Sequence, residues 1–165
     1  MIVVNDPRHG RVEILSDSRR GVVHVSSPSL PGASVKRRDG AIAEDCSPIG
    51  TRNRRNLLLS VGEVSGTTAP GMGFATRRSF RVDVEYQGRS YRLVPVSGIR
   101  SRFDREGIEL GTFDRNPSGA IGVDWLPEAR VAPQEAALGY SLVGAFGVGA
   151  PGALKSLVKH GGSPV

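Results

Sequence analysis

Residues 133–149, PQEAALGYSLVGAFGVG, constrain the fold more than any other stretch of the chain. After Glu135 the stretch holds no charge, and its only polar side chains are the hydroxyls of Tyr140 and Ser141. Its apolar residues are spread around the whole helical circumference instead of forming one face. A helix of this kind has to be buried on every side, either in a protein core or in a membrane.

The length of this helix favours burial inside the protein. Residues 147–152, GVGAPG, predict a break, because glycine and proline destabilise helix interiors. The part before the break spans ~24 Å at about 1.5 Å per residue, short of the ~30 Å hydrocarbon core of a bilayer. A helix extended through Pro151 would place Lys155 in the membrane. We therefore predict a central core helix over 133–149; the alternative is a small membrane protein anchored by its C-terminal apolar segment.

The chain ahead of the helix predicts a series of short strands. Ser79–Tyr86 alternates strictly, with apolar side chains from Phe80 onward on one face and charged side chains on the other. Gln87-Gly88 predicts a turn and Tyr91–Val96 the returning strand, which makes a hairpin with one buried and one solvent-facing side. The other predicted strands are Arg11–Leu15, Val22–Val25, Ser34–Lys36, Ala41–Ala43, Leu57–Val64, Ile99–Phe103, Gly107–Phe113 and Ala120–Trp125.

Three further details complete the predicted strand pattern. In Gly107–Phe113, the alternation places Ile108, Leu110 and Thr112 on one side. Met1–Val4 is either an edge strand or a disordered end, and Thr67–Gly73 is predicted to be a flexible loop.

The composition indicates one small, turn-rich domain. The chain has 165 residues, of which 22 are glycine and 11 proline, and this favours short strands over long helices. We predict one domain over 1–165, with strands in 1–126, the central helix in 133–149, and a terminal helix or tail in 150–165, the helix being Ala153–His160. The lone Cys46 excludes an internal disulfide and fits a reducing compartment, and no secretory signal is visible. The expected location is the cytoplasm, peripheral to the membrane.

This order of elements resembles the tubby C-terminal-like superfamily, which includes the LURP-one-related proteins and the phospholipid scramblases. The likeness lies between Phe80 and Gly149 and rests on the hairpin Phe80–Val96, the strand Gly107–Phe113, the strand that ends at Trp125, and the acidic-then-apolar helix start Gln134–Leu138. The resemblance implies a closed antiparallel barrel of about twelve strands around one hydrophobic helix. It also implies a lipid-related or regulatory role, although it supplies no residue-level site.

We therefore expect a mainly β (α+β) fold. Its architecture would be an antiparallel β-barrel of about ten to twelve short strands around one C-terminal hydrophobic helix. A barrel removes exposed strand edges and gives an apolar helix a dry lining. We expect Gly139 and Gly144 to let strand side chains approach the helix closely.

No pattern in the chain predicts a catalytic, cofactor or metal site. Residues 147–152 match G-x-G-x-x-G, but no βαβ unit can follow, and the helix-breaking interpretation explains the glycines. His9, His24 and His160 have no ligand spacing, and Cys46 with His24 has no supporting pattern for a nucleophile and its base. We predict that the protein is not an enzyme and needs no cofactor or metal.

Arginine pairs supply the functional hypothesis. The chain carries a formal net charge of +6, and a positive surface attracts phosphate groups of lipids or nucleic acids. If the predicted loops share one end of the barrel, they form a cationic patch that binds anionic phospholipid headgroups at the membrane surface. The alternatives are the anchored membrane protein, a nucleic-acid-binding protein, and a basic surface without a ligand. The candidate binding residues are Arg37, Arg38, Arg54, Arg55, Arg77 and Arg78.

Overall fold

Eleven strands follow one another around a nearly closed barrel, and each pairs antiparallel with the next strand in the sequence. The computed structural model of the protein describes residues 1–150. One helix, α1 (Pro133–Phe146), follows the last strand, so the predicted fold class is confirmed. The strands are β1 (Ile2–Asp6), β2 (Gly10–Asp17), β3 (Val22–Ser26), β4 (Ala33–Arg37), β5 (Leu57–Val61), β6 (Val64–Pro70), β7 (Val82–Tyr86), β8 (Arg89–Pro95), β9 (Arg100–Arg105), β10 (Ile108–Arg115) and β11 (Ile121–Trp125).

The helix α1 lies inside the barrel and is nearest to β2–β5. All its residues from Glu135 to Ala145 are buried. At Gly144 an added Cβ would lie 2.5 Å from Val23 Cγ1 and 2.7 Å from Ile14 Cγ2. At Gly139 it would lie 3.1 Å from Phe113 Cζ. These distances confirm that the two helix glycines allow close approach of strand side chains.

Aromatic side chains fill the opposite side of the core, where α1 faces β8–β11. The rings of Phe113 and Tyr140 meet edge to face with centroids 5.4 Å apart, and Phe113 meets Trp125 in the same way at 5.6 Å. Tyr91 and Phe103 stack at 5.8 Å. Small aliphatic side chains on one side of α1 and large rings on the other therefore complete its burial.

The first and last strands meet without a hydrogen-bonded ladder. Antiparallel pairing reverses the direction at every step, so an odd number of strands leaves β1 and β11 parallel, and no ladder joins them within residues 1–150. The Asp6 Oδ2 atom accepts hydrogen bonds from Trp125 Nε1 at 2.9 Å and from the Tyr140 hydroxyl at 2.6 Å. Arg8 donates to two main-chain carbonyls in segment 126–129. Side chains therefore close this seam and connect it to α1.

The predicted boundaries in the middle of the chain are partly wrong. Ala41–Ala43 is not a strand but part of the long connection between β4 and β5. The predicted strand Leu57–Val64 is divided by a turn, and β6 continues to Pro70 where a loop was expected. In β6 only Thr68 is fully buried. The strand therefore needs few apolar side chains, and its sequence shows no apolar alternation.

Two predicted strand faces also need correction. Phe80 belongs to a 3₁₀ turn, Arg77–Phe80, and β7 begins at Val82. In β10 the register shifts between Glu109 and Gly111, and the extra residue of this bulge moves the alternation by one position. Leu110 and Phe113 are therefore buried, whereas Ile108 is 68% exposed.

The helix ends earlier than predicted. α1 stops at Phe146, and Gly147 follows with φ of 84°, a conformation that suits glycine at the end of a helix. The predicted short helix Ala153–His160 lies outside the described residues. Within residues 1–150, no helix has the length and hydropathy needed to cross a membrane.

Replacing Gly144 by alanine tests the close packing of α1. Helix propensity alone would stabilise the variant by about 1 kcal/mol, but the added methyl overlaps Val23 and Ile14. We expect a net loss of about 1–3 kcal/mol in the free energy of unfolding, as for other overpacked cores. Urea denaturation measures this loss. The matched control is Gly122→Ala in β11, where an added Cβ meets nothing within 4 Å. Equal stability of G144A and the wild type would contradict the packing.

Candidate functional site

One end of the barrel contains the two longest connections between strands, those after β4 and after β6. Because successive strands are antiparallel, the connections alternate between the two ends. We call the end that contains the connections after β2, β4, β6, β8 and β10 the loop end, and the other end the turn end. The C-terminus of α1 also reaches the loop end, as the hydrogen bond from Ile49 N–H to the Ala145 carbonyl shows. The predicted condition that the arginine-bearing loops share one end is therefore met.

All six predicted binding arginines lie at the loop end, but they do not form one cluster. Arg54 and Arg55 are exposed in a 3₁₀ turn before β5, and Arg38 Nε donates to the Arg55 carbonyl at 3.0 Å. Arg77 and Arg78 are exposed in the second 3₁₀ turn, before β7. The first two pairs are therefore connected, whereas the third occupies a separate loop at the same end.

Arg37 faces the interior and is not available as a surface ligand. It is only 7% exposed, and its guanidinium donates to the carbonyls of Ile49 at 2.8 Å and Arg19 at 3.1 Å. Successive side chains of a strand point to opposite faces, so Lys36 and Arg38 lie on the outer side of β4. Arg37 thus fixes the connection between β4 and β5. The outward-facing cation of β4 is Lys36.

A groove of about 520 Å³ opens where β5 and β6 diverge. The two strands pair only from Leu59–Gly66 to the turn, and the rest of β6 pairs with β7 instead. Lys36, Arg38 and Arg54 line this groove. Three cations beside a gap in the barrel wall make the groove a candidate anion site.

Thr68 supplies an unsatisfied hydroxyl in the same groove. The residue is 3% exposed, and its Oγ1 atom has no hydrogen-bond partner among the described residues. Buried polar groups are almost always hydrogen-bonded, but solvent does not reach this oxygen, so it is not a contact for a ligand in the open groove. The only carboxylate paired with a groove cation in residues 1–150 is that of Asp39, which is 3.8 Å from Lys36 Nζ.

Exposed apolar side chains accompany the cations at the loop end. Ile42 in the connection after β4 is 84% exposed, and Met72 in the connection after β6 is 86% exposed. Phe74 and Ile99 are also exposed in loop-end connections. Single exposed apolar residues are ordinary, but these lie in three loops at the same end as the arginines.

A larger cavity of about 950 Å³ lies at the loop end beyond the C-terminus of α1. Residues from many parts of the chain line it, and they include Ile2 and Ile121 at the start of the seam strands, the segment 45–48, the β8–β9 connection, and segment 146–150. Arg52 also lines this cavity. Arg52 donates to the carbonyls of Gly71 and Arg81 and lies over the rings of Phe80 and Phe146.

The turn end contains a buried ionic cluster around Glu135. This carboxylate is 3% exposed and accepts hydrogen bonds from Arg105 at 2.8 and 2.9 Å, from the Tyr91 hydroxyl at 2.7 Å, and from Ala132 N–H at 3.0 Å. Arg89 lies 3.8 Å away. Each carboxylate oxygen therefore has a donor, and the cluster fixes the N-terminus of α1 against β8 and β9.

The cluster is held in one protonation state. Burial by itself raises the pKa of Glu135, but the hydrogen bonds from Arg105, Ala132 and Tyr91 outweigh it and leave the pKa below its usual value. Burial and the bond to Glu135 raise the pKa of Tyr91. At neutral pH the carboxylate is ionised and the phenol is protonated, an arrangement suited to holding the helix rather than to proton transfer.

Residues 1–150 bring together neither a set of metal ligands nor Cys46 and His24 as a nucleophile and its base. No group of three or more histidine, cysteine, aspartate or glutamate side chains could hold a metal ion among these residues. Cys46 is a free thiol in the β4–β5 connection at the loop end, and His24 lies on the exposed side of β3. A Cβ added at Gly32, in the opposite, turn-end connection, would lie 3.6 Å from His24 Cε1, so the strand places His24 away from that thiol.

No family model matches the chain, and neither do the curated proteins or the solved structures. The candidate site therefore rests on its own geometry.

Lys36, Arg52 and Thr68 are not among the predicted site residues. The alternation of β4 would have indicated Lys36, because a strand that buries Arg37 has to expose its neighbours. Nothing in the local sequence distinguishes Arg52 or Thr68, since the cavity and the divergence of β5 from β6 depend on tertiary structure.

Replacing Glu135 by glutamine tests the turn-end cluster through pH. The folded-state pKa of Glu135 is lowered, so its stabilising contribution is complete above the unfolded value of about 4.3 and is lost as the pH falls through the folded value. We expect E135Q to lose about 2–4 kcal/mol of unfolding free energy at pH 7, with a smaller difference below pH ~4. Denaturation at a series of pH values measures this dependence.

The matched control is the exposed turn-end carboxylate Glu128. We expect Glu128→Gln to change the unfolding free energy by less than about 0.5 kcal/mol at every pH. A loss for E135Q that stays constant between neutral and acidic pH would show that the charge of Glu135 does not stabilise the fold.

Proposed function

We propose that the protein binds anionic membrane surfaces through its loop end. The observation that carries the proposal is that outward-facing cations and exposed apolar side chains occur at the same end of a rigid barrel. Cations attract anionic lipid headgroups, and apolar side chains beside them enter the boundary between headgroups and acyl chains. The turn end also carries exposed cations, but Arg11 pairs with Glu13 there, and Arg105 and Arg89 face Glu135. Among the described residues, Ile108 is the one apolar side chain of the turn end that is more than half exposed.

The groove between β5 and β6 is the proposed headgroup site. Lys36, Arg38 and Arg54 would surround a phosphate group. Charge-assisted hydrogen bonds from guanidinium groups are the strong ones for phosphate recognition. Arg77 and Arg78 would contribute long-range attraction from the neighbouring loop.

The resemblance to the tubby C-terminal-like superfamily stays a prediction. A barrel of eleven strands around a C-terminal helix agrees with the architecture that the resemblance implies, and the proposed lipid-related role agrees with it as well. We also propose, as predicted, that the protein is a binding module without catalytic activity. The proposed location is the cytoplasmic face of a membrane, where anionic lipids are concentrated.

Removing two groove cations tests the headgroup site. Arg38→Gln with Arg54→Gln should weaken sedimentation onto vesicles containing anionic lipid by about tenfold or more, because each basic residue near the surface contributes about 1 kcal/mol. Binding to neutral vesicles should be weak for all forms.

The control keeps the same net charge as the groove variant. Arg11→Gln with Arg130→Gln removes two exposed cations near the turn end, and this variant should bind vesicles like the wild type. Equal losses for the two double variants would show that net charge alone drives binding. Tighter retention of polynucleotides than of vesicles, with the same dependence on Arg38 and Arg54, would favour nucleic acid instead.

The exposed apolar residues predict a component of binding that salt does not remove. Ile42→Ser with Met72→Ser should lower vesicle binding several-fold at high salt, where charge attraction is screened within ~3 Å. Vesicle sedimentation over a salt series measures this component. Ile108→Ser is the matched control because Ile108 is 68% exposed but lies at the turn end. If I108S lowers binding as much as the loop-end variant, the orientation is wrong.

A further inference from the structure

The loop-end cavity combines a large apolar lining with one partly buried cation. Its volume of about 950 Å³ is within the range of small-molecule sites. Most of the side chains around it are apolar, and they include Ile2, Leu93, Ile121, Val143, Phe146 and Val148. Polar residues also line it, and one of them, Ser101, already accepts a hydrogen bond from Gly149 N–H at 2.8 Å.

Arg52 lacks the counter-ion that a desolvated cation normally has. Its guanidinium lies 5.5 Å from the Phe80 ring centroid and 5.6 Å from the Phe146 ring centroid. Nε and one terminal nitrogen donate to the carbonyls of Gly71 and Arg81. No salt bridge joins Arg52 to a carboxylate among residues 1–150. Burial lowers the pKa of Arg52, although the nearby Cys46 acts in the opposite direction. An anion in the cavity would offset this cost of desolvation.

The other polar residues of the lining are Ser16, Ser18, Asp45, Cys46, Ser47, Ser101 and Arg115. Asp45 and Arg115 are both exposed, Asp45 has an interaction of its own, and Arg115 donates to the Gly98 carbonyl. Arg37 is the other buried arginine with carbonyl partners only, but it does not line the cavity. Arg52 is therefore the one cation that is both partly buried and adjacent to the apolar space among the described residues.

We propose that this cavity binds one amphiphilic molecule with an anionic group and a single hydrocarbon chain. The anionic group lies against the Arg52 guanidinium, whose second terminal nitrogen has no hydrogen-bond partner among residues 1–150. The hydrocarbon chain lies among the apolar side chains beyond the end of α1. Free fatty acids and singly acylated lipids taken from a membrane share this chemistry, and the cavity opens at the same end that we propose to face the membrane.

A fluorescent fatty acid, dansyl-undecanoate, tests the proposal with the full-length protein. We expect its emission to rise and shift to the blue on binding, and we expect laurate and lauryl phosphate to displace it. Dodecanol has a similar chain without a charge and should displace it at least tenfold less well, as expected for a charge-assisted hydrogen bond. Equal displacement by dodecanol, or no binding of the probe, would overturn the proposal.

Two variants locate the ligand. Arg52→Gln keeps a donor for the Gly71 carbonyl but removes the charge, and it should weaken probe binding about tenfold. Ile121→Trp keeps Arg52 and fills part of the cavity, so it should abolish binding even if R52Q fails to fold. Arg20→Gln removes an exposed loop-end charge that does not line the cavity and should leave probe binding unchanged. Wild-type affinity in I121W would overturn the location.

The source of the ligand is separated from the membrane-binding function in the same assay. Uptake of the probe from vesicles that requires Arg38 and Arg54 would identify the membrane as its source, and uptake from buffer alone would identify a free amphiphile. Both results support the cavity, and failure of uptake from both sources contradicts it. The double variant R38Q/R54Q in buffer should bind the probe like the wild type, so loss of vesicle binding and loss of cavity binding are distinguishable.

Discussion

The hydrogen bonds to Asp6 connect the parts of the structure that main-chain pairing leaves separate. Eleven antiparallel strands cannot close by a continuous antiparallel ladder, because the first and last strands run in the same direction. One buried carboxylate in β1 accepts from Trp125 of β11 and Tyr140 of α1. Burial and the bond to Asp6 raise the pKa of Tyr140, so its hydroxyl remains a donor. Closure of the barrel and placement of the helix therefore depend on the same group.

The two ends of the barrel differ in structure. Glu135 fixes the N-terminus of α1 at the turn end, where three of the connections are two-residue turns and Arg11, Arg89 and Arg105 lie beside carboxylates. The C-terminus of α1 reaches the loop end, where the long connections carry cations, exposed apolar side chains, a groove and a cavity. A closed core can hold such loops in fixed positions, which is how rigid scaffolds commonly present binding residues.

The spacing of apolar residues along the sequence predicts the strands and the helix whose burial follows a regular pattern. The buried faces of β7 and β8 and the all-round burial of α1 follow from alternation and from the missing polar face. Three features were not predicted: the polar strand β6, the bulge after Glu109 and the inward direction of Arg37. Each depends on the strands that pair or pack beside it and not on the local sequence. The loop-end arginines were predicted as residues, whereas the groove at Thr68 and the cavity at Arg52 require strands distant in sequence to come together.

Hydrogen exchange followed by mass spectrometry, with and without anionic vesicles, tests the central claim that a closed core presents the loop end as the binding face. The account predicts slow exchange of α1 amides in both samples, since global unfolding is needed to expose them. It also predicts that vesicles slow exchange in segments 38–56 and 71–81 and leave the turn-end connections unchanged. Rapid exchange in α1 of the protein alone, or protection confined to the turn end, would contradict it.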